Sequence, residues 1–145
     1  MKGGPTKMSE IAKMRTAAQA CLDWQPSEEQ EQITVFEWAM LMEKQFPELA
    51  LLFHIGNGGV RSKSEAVRFK KAGVKAGVPD LFLPVPRGGF HGLWIEMKRR
   101  KGGRVSEEQS WWMHELEKQM YRTVVCHGSD EACDVLYNYL TQVEQ

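Results

Sequence analysis

Apolar positions at helical spacing open the central part of the chain. Ile33, Phe36 and Met40, joined by Val35, Ala39, Met42 and Phe46, form a broad apolar face that ends near Pro47. Ser27 precedes it with Gln30 three residues on, a pairing that caps a helix start from both sides. Leu49 to Ile55 is then a continuous apolar run of strand length, broken by Gly56-Asn57-Gly58-Gly59. A basic helix is predicted from about Ser64 to Ala72, closed by Gly73. Two further apolar strands, Leu81 to Val85 and the one carrying Trp94-Ile95-Glu96-Met97-Lys98, flank the turn-rich stretch Pro86 to Gly92 and read as a hairpin. After a basic loop from Lys98 to Gly103, Ser106 and Gln109 form a second capping box, opening a helix to about Met120. Thr123 to Cys126 is a short strand, and Ser129 is placed to cap a last helix, Asp130 to Leu140.

This order predicts an α/β fold, a mixed central sheet flanked by helices. Residues 1–25 read as an N-terminal extension, with a short helix-compatible run from Ser9 to Leu22, and residues 26–145 as one domain. At 145 residues the chain can bury a substantial core without disulfides. Cys21, Cys126 and Cys133 are few, widely spaced and odd in number, which favours a reducing compartment. Cys126, His127 and Cys133 lack the second close pair that a zinc site needs. No apolar run is long enough to span a membrane, and a cytoplasmic or nucleoid-associated location in a bacterial or phage-infected cell is expected.

Net charge is zero, yet its distribution is not even. Between Val60 and Arg104 twelve basic residues stand against Glu65, Asp80 and Glu96, a local charge of +9. Such a segment suits a polyanion, and Arg61, Lys63, Lys70, Lys71, Arg99, Arg100 and Lys101 are the candidate phosphate contacts. Asn57, with Gly58 and Gly59, adds backbone amides suited to a close approach by phosphate.

The basic segment also holds the candidate chemistry. Asp80 follows Pro79 at a strand start, and Glu96 and Lys98 share one face of the next strand because side chains alternate. A hairpin brings the two carboxylates together, and a carboxylate inside an apolar strand needs a cation or hydrogen bonds. Magnesium, or manganese in its place, suits such oxygen donors, and a third acid is wanted. Glu28 continues the helical stripe of positions 32, 35, 39, 42 and 46, with Glu31 as its competitor one turn along. His54, His91, His114 and His127 lack consistent ligand spacing and read as structural, and Trp111 and Trp112 read as core or interface residues rather than base-stacking platforms.

Gly77-Val78-Pro79-Asp80 followed by Glu96-Met97-Lys98 resembles the PD-(D/E)xK nuclease signature. The wider run, with Asn57-Gly58-Gly59, Gly89-Phe90-His91-Gly92-Leu93 and Ser106-Glu107-Glu108-Gln109, resembles the virus-type replication-repair nuclease (VRR-NUC) domain from about Ser27 to Leu140. The resemblance implies a restriction-endonuclease-like core and metal-dependent hydrolysis of DNA. It makes Asp80, Glu96, Lys98 and Gln109 the catalytic residues, and gives the metal to Glu28, Asp80, Glu96 and the Met97 carbonyl. It further implies a homodimer acting on branched, Holliday-type DNA. The rival expectations are a DNA-binding module without catalysis, and a nuclease acting on RNA or on free ends.

Overall fold

The computed structural model describes residue 19 and residues 24–56 and 62–142. The rest of the helix expected over Ser9 to Leu22, Cys21, the Asn57-Gly58-Gly59 run and Arg61 lie outside them.

Helix α1 spans Glu28–Met42 and starts at the expected capping box, with Ser27 Oγ accepting from the Gln30 N–H and the Gln30 side chain accepting from the Ser27 N–H. The apolar run after it does not become one long strand. Pro47–Leu51 forms a 3-10 helix with proline in its first turn, where a missing N–H is harmless, and only Phe53–His54 remains as strand β1. Helix α2, Lys63–Lys71, has its own capping box between Ser62 and Glu65 and buries no residue. Strand β2 covers only Leu81–Leu83, because Pro84 offers no N–H to continue the ladder. Strand β3 (Leu93–Lys98), helix α3 (Glu107–Lys118), strand β4 (Arg122–His127) and helix α4 (Ser129–Leu140) complete the order. Ser129 is not the cap of α4; Gly128 holds that position and gives no side-chain bond. Instead the Ser129 N–H donates to Glu31 Oε2 at 2.8 Å, so a carboxylate from α1 satisfies the helix start.

The sheet runs β1-β2-β3-β4. The first three strands are antiparallel neighbours and β4 joins β3 in parallel, giving the mixed sheet expected. Leu93, Ile95 and Met97 turn one face of β3 into the main core with Leu81, Leu83, Val35, Ala39, Leu136 and Tyr139, all buried. Tyr139 keeps its hydroxyl satisfied there by donating to the Val85 carbonyl at 2.7 Å. On the opposite face Trp94 stacks on Phe82 at a ring separation of 4.1 Å, and farther along β3 come Glu96 and Lys98.

Candidate active site

Strand register brings the hairpin acids together. Leu81 pairs with Ile95, so Asp80 stands opposite Glu96, and directly opposed residues of an antiparallel pair project to the same side about 5 Å apart. Asp80 is fixed from two directions: its Oδ2 accepts from the Met97 N–H at 2.8 Å, and its carbonyl accepts from the Ile55 N–H at 2.8 Å. Glu96 is 1% exposed. Its Oε1 accepts from Lys98 Nζ at 2.7 Å and from Gln109 Nε2, while its buried Oε2 has no donor among the described residues. The two carboxyls lie close enough to interact directly.

The electrostatics follow from this crowding. Burial is the main force that raises Glu96 to about 7, with the Asp80 charge adding to it and Lys98 opposing it. Burial also raises Asp80, against the Met97 N–H and the charges of Lys98 and His54. Two acids facing one another with an orphaned oxygen need either a shared proton or a cation. Among the described residues no group of three or more His, Cys, Asp or Glu side chains forms a ready metal cage. A hard cation that keeps several waters needs fewer, and two facing carboxylates at a cleft that Met97 also lines fit that requirement.

Gln109 caps α3 as expected and also reaches Glu96. Its Oε1 accepts from the Ser106 N–H at 2.9 Å as part of the capping box, leaving Nε2 to hold Glu96. Gly77 makes this reach possible: at φ +83°, its Cα lies so near the Glu108 and Gln109 backbone that a Cβ would sit 2.7 Å from Glu108. Gly103 similarly backs the Lys98 side chain, where a Cβ would come within 2.8 Å. Lys98 is 6% exposed, with Gly103 close along its stem and Glu96 at its ammonium group.

The two competing glutamates of α1 have different surroundings. Glu31 is 2% exposed and faces Arg100, with Nε to Oε1 at 2.5 Å and Nη2 to Oε2 at 3.2 Å. Burial would raise its carboxyl, but Arg100 and Ser129 outweigh that and lower it. Glu28 is exposed, accepts weakly from the Arg99 N–H at 3.4 Å, and lines a cleft of about 440 Å³ with Gln32, His54, Asp80 and Met97. His54 carried no signal in the sequence, standing 26 residues from Asp80; the pairing of β1 with β2 brings it in. Its Nδ1 lies 2.8 Å from the Asp80 carbonyl, and since a carbonyl only accepts, Nδ1 carries the proton.

The basic residues separate as well. Lys63, Lys70 and Lys71 are exposed on α2, and Arg99 and Lys101 are exposed beyond β3. Arg100, expected among the phosphate contacts, is committed within the fold to Glu31, to Asp130 at 2.7 Å and to Ser129. Trp111, expected in the core or at an interface, is 58% exposed in the single chain and so lies outside the core.

A family model for the VRR-NUC domain matches residues 12–130. A solved structure titled as a VRR_NUC domain protein is 30% identical, covers 83% of this chain and 93% of its own, and superposes with a TM-score of 0.72. A search of curated proteins found no match. The matched span contains both hairpin acids, Lys98 and Gln109, and the chain belongs to the VRR-NUC family of nucleases.

Proposed function

We propose that the protein is a magnesium-dependent endonuclease that hydrolyses phosphodiester bonds in DNA. The observation that carries this reading is the Asp80–Glu96 pair, with Glu96 Oε2 buried and without a donor among the described residues, beside a buried Lys98. Asp80, Glu96 and the Met97 carbonyl would hold the cation, with Glu28 at the rim of the same cleft as the third acid. A bound divalent cation supplies an acidified water and offsets charge on the scissile phosphate. Lys98, donating to Glu96 Oε1, stands where its ammonium group can orient that water or stabilise the charge that develops on phosphate. Gln109 positions Glu96 by fixing the same oxygen. Exposed Lys63, Lys70, Lys71, Arg99 and Lys101 supply sequence-independent attraction for the backbone.

By family resemblance the preferred substrate is branched DNA and the working unit a homodimer; one candidate site per chain suits paired cuts in two strands. The test is incubation of matched linear, flap, splayed and four-way DNA with magnesium, manganese or chelator. Cleavage should require the metal and be abolished by Asp80→Asn or Glu96→Gln, with DNA affinity kept within a few-fold. Cleavage that survives both substitutions rejects the site, and wild-type binding without cleavage favours a non-catalytic module.

A further inference from the structure

We infer that a second subsite, formed by Trp111, Trp112 and Lys75 on the outer side of α3, takes an unpaired nucleobase of the bound strand. This rests on the nuclease reading above and specifies which part of the substrate is recognised.

A cleft of about 430 Å³ lies between the turn Lys75-Ala76 and the α3 residues Glu107, Glu108, Trp111 and Trp112. Its aromatic wall is fixed. Trp112 donates from Nε1 to the Ala76 carbonyl at 3.0 Å, and the Trp111 ring meets the Trp112 ring edge to face, 5.5 Å apart at 81°. Trp111 is thus propped outward with 58% of its surface open, although apolar surface of that size is normally covered.

Three observations select a base as its occupant. First, the cleft adjoins the active site: the Gly77 backbone that closes on Glu108 leads directly to Asp80, and α3 carries Gln109 to Glu96. Trp111 follows Gln109 by two residues, so the cleft and the candidate active site lie on opposite sides of the same helix. Second, Lys63, Arg68, Lys70 and Lys71 are exposed on α2, the helix that precedes Lys75 by a short turn, so attraction for a phosphate backbone is available next to the cleft in the chain. Third, Glu107 and Glu108 line the cleft itself, which disfavours a phosphate inside it and offers acceptors to the amino groups of a base. Inside a duplex both faces of a base are covered by its neighbours, so only an unpaired nucleotide or the last pair at an open end can present a flat face to Trp111. A nucleic acid with a single-stranded arm therefore gains a stacking interaction that a continuous duplex lacks.

The test is binding, measured without cleavage, of a single-stranded oligonucleotide and a duplex of the same sequence closed into a covalent circle at both ends to the full chain in chelator. Trp111→Leu should lower the preference for the single strand about tenfold, the size of one stacked base, and Trp111→Phe should restore most of it. A single strand with abasic positions should show the same loss against wild type. Equal weakening for both probes, no change for either, or a change in oligomeric state with Trp111→Leu overturns the subsite. Because chemistry is not read, failure of the nuclease proposal shows separately, as a wild-type protein that discriminates the two probes yet cuts no DNA with magnesium.

Discussion

Replacing Glu96 with glutamine should stabilise the metal-free protein at neutral pH while removing activity. Glu96 rises from 4.5 to about 7 on folding, chiefly through burial, so the folded state holds a proton that the unfolded chain has released. Between those values the native state binds more protons than the unfolded state, and stability falls as pH rises. At pH 8 the ionised Glu96 costs up to about 3 kcal/mol relative to its neutral form. Glutamine keeps the shape, stays neutral and avoids that cost, although Lys98 loses a charged partner and reduces the gain. In chelator, urea unfolding should show wild type losing stability from pH 4.5 to 7 and Glu96→Gln losing much less, with the variant more stable at pH 8. Magnesium should restore the wild type, because a ligand bound only by the folded state stabilises it, and should do little for the variant. A Glu96→Gln protein that is less stable than wild type at pH 8, or that keeps the full pH slope, would refute the burial of an ionised Glu96 as the cause.

Glu31→Gln should cost about 1–2 kcal/mol in thermal or urea unfolding, comparable to a lost helix cap, because the Ser129 N–H and Arg100 both lose a carboxylate; no change would mean that this network does not stabilise the fold. Gly77→Ala combines a left-handed backbone angle with a Cβ 2.7 Å from Glu108, and should cost about 2 kcal/mol or more and lower cleavage by displacing Gln109. Stability and cleavage like wild type would mean that this close approach does not matter. DNA affinity should fall steeply with salt, and Lys70→Gln with Lys71→Gln should reduce the logarithmic slope by about 0.9 for each phosphate that is no longer neutralised. An unchanged slope would exclude α2 from the binding surface.

Several parts of this site were legible because they are local. Capping boxes at Ser27 and Ser106 fix two helix starts through residues three apart, and strand alternation puts Glu96 and Lys98 on one face. The third box, at Ser62, moved the start of α2 one residue ahead of the expected Ser64. The long strand expected from Leu49 failed because hydrophobicity cannot distinguish a strand from a 3-10 turn with proline in its first turn.

The chain alone determined the candidate residues, two acids and a lysine on a hairpin within a basic segment, and the family that arrangement resembles. Only the tertiary structure separated the surroundings of Glu28 and Glu31, since they lie on nearly the same helical face. Arg100, 69 residues from Glu31, and Ser129, 98 residues away, draw Glu31 into the fold and leave Glu28 beside Asp80. The same holds for His54 and Trp111, one brought to Asp80 by strand pairing and the other left open to solvent. Periodicity and capping are set by neighbours a few residues away, whereas the partner of a buried charge depends on which distant segments pack against it.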